Sequence, residues 1–269
     1  MVQELLSQSQ IDARLYPESD GKPMADNTVQ FRLITTIVGG LSALFQERDD
    51  VFVVGDLLWY PRKAGTLTVV EQSLPFSQAP DIMVVFGVEN KDRGSYKQWE
   101  EGNIVPQVAM EIVSPSNSKG EMEDKFRFYD YYGVEEYYVY NPQRNQLQGG
   151  LRRGGFLTEI PQMEGWTSPL LGVSFSTLSP ELQVFAPTGE VFGTYEEVVV
   201  ERDLQRQETE RQRQETERQR ERADGAELER DRQRQETERQ QERAESAESD
   251  LQQLREKLRQ LNIDPDSLL

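Results

Sequence analysis

Val108-Ala109-Met110-Glu111-Ile112-Val113-Ser114-Pro115-Ser116 is an apolar run broken by one carboxylate and closed by a turn. Alternate residues of a strand share a face, so Ala109, Glu111 and Val113 point one way and Val108, Met110 and Ile112 the other. The turn through Ser118 opens a helical stretch over roughly 119–132. Glu136-Tyr137-Tyr138-Val139-Tyr140 reads as a further strand, ended by Asn141-Pro142. Upstream, Pro80-Asp81-Ile82-Met83-Val84-Val85-Phe86 is a second apolar run with a carboxylate at its start; Asp81, Met83 and Val85 share a face.

Outward from these runs, Phe31, Ile34, Ile37, Val38, Leu41 and Leu44 recur at helical spacing, and the helix can start near Asn27 or Thr28. Gly39-Gly40 weakens it, so it bends or packs tightly there. Val51-Phe52-Val53-Val54 reads as a strand that continues past Gly55 to Leu57-Leu58-Trp59-Tyr60. Residues 89–104 form an insertion between the two acidic strands. Its Tyr96, Lys97 and Trp99 are residue types that stack on bases, although aromatics in an insertion more often simply pack. Gln146–Gln148 and Phe156–Ile160 are shorter β-like pieces. A helix first, then strands with one connecting helix, predicts an α/β fold around a mixed β-sheet. Residues 1–26 are a polar N-terminal segment with a loop at Pro17–Pro23, and residues 27–200 are the globular domain.

Residues 201–262 are a charged helical tail, followed by a short C-terminal tail at 263–269. Arg-Gln-Glu-Thr-Glu-Arg-Gln occurs at 206–212, 213–219 and 234–240, offsets of whole heptads. One seam runs Thr209, Thr216, Ala223, Arg230, Thr237, Ala244, Leu251 and Leu258. The other runs Gln212, Gln219, Ala226, Gln233, Gln240, Ala247, Leu254 and Leu261. The seam is polar early and leucine-rich over 251–261, with Asp224-Gly225 a point of interruption. For 201–240 a solvated single helix held by pairs such as Arg213–Glu217 and Glu217–Arg220 is the favoured reading. For 244–261 a coiled coil is favoured, making a homo-oligomer or folding back on the core.

The 269 residues carry a formal net charge of −18. Residues 1–200 hold 15 basic against 28 acidic residues, so the globular part itself repels polyanions. That argues against a long nucleic-acid footprint, though not against a transient active site. The chain has no cysteine and no histidine. Thiol nucleophiles, Ser-His-Asp hydrolysis, HEXXH metalloproteases and histidine bases are therefore excluded. There is no basic, apolar leader at Met1–Leu6, no stretch long enough to span a membrane, and no P-loop, so the default location is the cytoplasm.

What remains is carboxylates, Lys, Tyr, water and metal. A carboxylate on a sheet surface crowded with Val, Ile and Met is costly unless compensated. If the two acidic strands are neighbours, Asp81 and Glu111 converge on one ion, with the Ile112 carbonyl as a further ligand. Mg²⁺ (or Mn²⁺) suits such an oxygen set, and Lys125 would stabilise charge on a phosphate or orient water. Plainer readings stand beside this one. Asp81 could cap a strand, Glu111 could pair with a buried Lys or Arg, and Lys125 could pair with Glu121 at i,i+4. Lys119 competes with Lys125 for the role.

Pro80-Asp81, Met110-Glu111-Ile112-Val113-Ser114-Pro115-Ser116, Lys125 and Tyr132-Gly133-Val134-Glu135-Glu136-Tyr137-Tyr138-Val139-Tyr140-Asn141-Pro142 resemble the Uma2 family of restriction-endonuclease-like proteins, over most of residues 10–200. The resemblance implies the PD-(D/E)xK nuclease fold, a mixed sheet core flanked by helices, and with it a Mg²⁺-dependent DNA endonuclease. Asp81 matches the motif Asp and Glu111 the second acid. Val113 stands where the basic pattern places lysine, and Lys125 looks like a migrated substitute. Asp56 is the candidate for the additional N-terminal acid common in the fold. The departure at Val113 puts activity in question rather than fold, so a non-catalytic scaffold that acts through its coiled coil is the rival expectation.

Overall fold

The structure, a computed structural model, describes residues 8–21 and 23–260. Met1–Leu6, Lys22 in the 17–23 loop, the seam residue Leu261 and the 263–269 tail lie outside the described residues. The helices are α1 (Gln8–Leu15), α2 (Thr28–Leu44), α3 (Lys119–Tyr132) and α4 (Tyr195–Gln260). The strands are β1 (Val51–Val54), β2 (Trp59–Tyr60), β3 (Ile82–Phe86), β4 (Tyr96–Lys97), β5 (Val108–Ile112), β6 (Glu136–Asn141), β7 (Gln146–Arg153), β8 (Phe156–Glu159), β9 (Ser174–Ser176) and β10 (Gln183–Phe185). The chain divides into two compact units, one through Val198 and one from Val199.

In the first unit six strands form a mixed sheet in the order β1-β3-β5-β6-β7-β8. β5 and β6 are parallel, joined by α3, and the other pairs are antiparallel. A parallel pair needs a long crossover, and α3 supplies it. Its limits follow from local chemistry. The Ser118 hydroxyl caps the start by accepting from the Glu121 N–H at 3.1 Å, and Gly133 ends it at a left-handed φ of 97°.

Both faces of the sheet are covered, which is why β3 and β5 read as nearly continuous apolar runs. On one face Ile82, Val84, Val108, Met110 and Ile112 pack against Leu33, Ile34, Ile37 and Leu41 of α2. On the other, Met83, Val85, Ala109 and Tyr137 pack against Phe128 and Tyr129 of α3. Gly39 and Gly40 do not break α2. Gly40 lets the Phe192 ring approach where a Cβ would overlap it.

Two expectations change, at β1 and in α4, and the 89–104 aromatics take the plainer of their two readings. The strand from Val51 does not run on to Tyr60. Asp56 takes a left-handed φ of 51°, and Trp59–Tyr60 leave the main sheet to pair in parallel with Tyr96–Lys97. The aromatics of the 89–104 insertion serve packing. Tyr96 is fully buried with its hydroxyl donating to the Ile104 carbonyl, and Trp99 packs on Tyr16. In the second unit, α4 continues unbroken through Asp224-Gly225. One glycine costs about 1 kcal/mol relative to alanine, too little to stop a helix of this length. No residue of α4 is buried.

Candidate active site

β3 and β5 are hydrogen-bonded neighbours with Ile82 opposite Met110. The same register sets Asp81, one residue before β3, opposite Glu111 on the α3 side of the sheet. Asp81 is 8% exposed and Glu111 1%. Both therefore depend on nearby donors.

Helix α3 supplies the donors for Glu111. Lys125 Nζ lies 2.6 Å from Glu111 Oε2. One turn later on the same helix face, the Tyr129 hydroxyl donates to Oε1 at 2.5 Å. The Ile112 N–H donates to Asp81 Oδ2 at 2.6 Å. Gln30 of α2 reaches the same point from the opposite layer. Its amide nitrogen donates to the Ile112 carbonyl at 2.9 Å and approaches Asp81 Oδ2 at 3.4 Å. The Asp26 N–H fixes the orientation of that amide by donating to its oxygen at 2.9 Å. Asp26 in turn accepts from Ser114, at 2.5 Å, and from Ser116 of the turn after β5.

The electrostatics follow from burial and like charge. Desolvation, reinforced by Glu111, pushes Asp81 up to about 7. Burial works against the charge of Lys125, but Glu111 and Asp81 outweigh it and its pKa is raised. Tyr129 and Tyr137 are raised well above the ordinary tyrosine value, by burial first and by Glu111 second. The Tyr137 hydroxyl is buried without a hydrogen-bond partner.

Asp81, Glu111, the Ile112 carbonyl and Lys125 are thus brought to one place. Asp56 stands at its edge. Its N–H donates to the Pro80 carbonyl at 3.0 Å, and burial, then Asp20, raise its carboxyl pKa, with Lys125 and Glu111 also acting on it. Lys119 is not part of the cluster. Its side chain is 93% exposed and pairs with Glu123. Three residues went unread in the sequence. Gln30 left a signal, because it falls on the buried stripe of Ile34, Ile37 and Leu41 at helical spacing. Tyr129 lies one turn from Lys125. Tyr137 required the β5–β6 register, which places it beside Ala109.

The donor set suits a hard divalent ion. It consists of two carboxylates and a carbonyl, all oxygen, in a chain with neither His nor Cys. Ile112 O and Asp81 Oδ2 already converge on one positively polarised group, the Gln30 amide. Asp81 stays under-compensated against Glu111, which is the situation a cation relieves. Among the described residues no group of three or more His, Cys, Asp or Glu is placed to hold a metal, so Asp56 does not complete a three-acid cage.

A mixed sheet covered by helices, with paired acids at the ends of two neighbouring strands and a lysine from the crossover helix, defines a restriction-endonuclease-like protein. The family model described as "Uma2: Putative restriction endonuclease" matches residues 19–184, more than half of the chain, and the chain belongs to that family. A solved structure described as a "putative nuclease belonging to DUF820 from Anabaena variabilis ATCC 29413" is similar at 13% identity and a TM-score of 0.43, over 61% of this chain and 87% of that one. No curated protein matches the chain.

Proposed function

We propose that this protein is a divalent-metal-dependent endonuclease that hydrolyses phosphodiester bonds of DNA. Asp81, Glu111 and the Ile112 carbonyl would hold Mg²⁺ or Mn²⁺, and Lys125 assists. The observation that carries the reading is the register that opposes Asp81 and Glu111, with Lys125 seated on Glu111. When bound, the metal supplies Lewis-acid activation of water and charge compensation for the phosphate.

The rest belongs to the chain. Lys125 keeps a fixed positive charge at the site, where charge develops on a phosphate. Tyr129 fixes the second oxygen of Glu111, and Gln30 holds Asp81 and the Ile112 carbonyl converged. The unpartnered Tyr137 hydroxyl is a spare donor for an ordered water. Asp56 contributes charge from the edge of the site. Lysine at position 125 rather than 113 then represents a change of backbone origin with the same charge delivered. The test is nicking of supercoiled plasmid with Mg²⁺ or Mn²⁺. Glu111→Gln and Lys125→Met each lose on the order of 10²-fold or more. Unchanged cleavage by Glu111→Gln would overturn the assignment.

One observation favours a non-catalytic binding role instead. Asp20, Glu121 and Asp124 line a polar cavity of about 590 Å³ beside the first turns of α3, an acidic surface unsuited to a polyanion. On that reading the full chain has no metal-dependent cleavage, and deleting 201–269 removes partner binding.

A further inference from the structure

Helix α4 buries no side chain over its 66 residues, about 100 Å, and carries two seams at heptad spacing. Its charges are sorted relative to those seams. In a parallel, in-register pair, the residue just before each first-seam position faces the residue five places further along the second helix. Glu201, Glu208 and Glu215 then face Arg206, Arg213 and Arg220. The signs invert at Arg222–Glu227, revert at Glu229–Arg234, and invert again at Arg243–Glu248 before Asp250 meets Arg255. Glu236 meets neutral Gln241, and over 201–260 this register creates no like-charged pair of this kind.

We infer that α4 is the interface of a homodimer, and that its occupant is the same helix of a second copy, parallel and in register. The two inversions are what fix the register. A slip of one heptad sets Glu215 against Glu227, Arg222 against Arg234, Glu236 against Glu248 and Arg243 against Arg255. Antiparallel packing sets the mostly acidic column against itself and the mostly basic one likewise. The seam supplies cohesion at Ala223 and Ala226, at Ala244 and Ala247, and at Leu251, Leu254 and Leu258. Its Thr, Gln and Arg230 positions lower affinity but favour two strands, where seam side chains still reach water. The seam gives attraction and the flanking charges give selectivity. In this arrangement both copies enter the coil at the same end, at Tyr195.

The chain has no cysteine, so single cysteines report pairing in the full-length protein. Thr209→Cys and Leu251→Cys each form a disulfide with their own kind on mild oxidation. Crosslinking only between Thr209→Cys and Leu251→Cys chains, or none with a monomeric mass by light scattering, overturns the inference. Glu208→Arg with Glu215→Arg weakens self-association roughly tenfold or more, and adding Arg213→Glu with Arg220→Glu restores it. Association indifferent to that reversal also overturns it. Neither readout depends on cleavage, so a failed nuclease assignment leaves this test intact.

Discussion

Glu111 is gripped at both oxygens by side chains from one helix face, Lys125 and Tyr129. Removing the lysine leaves a carboxylate that is 1% exposed with a single tyrosine donor. Lys125→Met is therefore expected to cost about 3 kcal/mol in urea denaturation, with part recovered in the Glu111→Gln background. Equal stabilities for wild type and Lys125→Met would show that the ion pair is not a buried one. Asp81 behaves in the opposite sense. Its carboxyl is pushed up to about 7 from an ordinary 3.8, so between those values the folded chain holds a proton that the unfolded chain has released. The stability due to this group falls as pH rises from about 4 to about 7 and is flat above. Asp81→Asn keeps an acceptor for the Ile112 N–H without the charge. It is expected to exceed wild type by on the order of 1–3 kcal/mol near pH 8 without divalent ions, and to lose that advantage near pH 4. Parallel pH profiles for the two proteins would contradict the account of Asp81 as raised by burial and, second, by Glu111.

Adjacent glycines in α2 make opposite demands on the element. A Cβ at Gly39 meets nothing, whereas one at Gly40 overlaps the Phe192 ring. Gly39→Ala should raise stability by up to about 1 kcal/mol through helix propensity, and Gly40→Ala should lower it by about 1–3 kcal/mol through overpacking. Thermal melts that shift both variants in the same direction would contradict this packing.

The same elements show what a sequence can disclose. Helix α3, the acidic strands and the α/β class were legible because period, caps and turn residues are local signals. Asp81 and Glu111 were legible because a charge inside an apolar run demands an explanation. The end of β1 at Val54 and the two-residue pairing of β2 with β4 were not, because they are fixed by partners distant in the chain. Gln30 was half-legible. Its place on the apolar stripe marks it as buried, but its partners Asp81 and Ile112 come from a different layer. Pairing across layers is set by tertiary packing, not by local pattern.

At the scale of the molecule, the globular unit and the α4 helix are held by different forces. The first has a core on each face of its sheet, while the second buries nothing within one chain. Deleting 201–269 is expected to leave the calorimetric transition of the globular unit within a few degrees of its original position. Deleting 1–26 should lower it clearly, because Tyr16 packs on Tyr60, Phe76 and Trp99, and Asp26 holds the Ser114–Ser116 turn. Equal shifts for both deletions would contradict this division. On the proposed function, an acidic nuclease would depend on its metal more than a basic one, because the ion would both activate water and locally reverse a repulsive field.

The central claim is that Asp81 and Glu111 form one divalent-metal site that cleaves DNA. Calorimetric titration of Mg²⁺ or Mn²⁺ into wild type and the Asp81→Asn/Glu111→Gln double variant, with plasmid nicking in the same buffers, tests it directly. The account predicts binding and nicking by wild type, and loss of both in a double variant whose circular dichroism is unchanged. Nicking that survives in the double variant, or a wild type that neither binds metal nor cleaves in the presence of DNA, would contradict it.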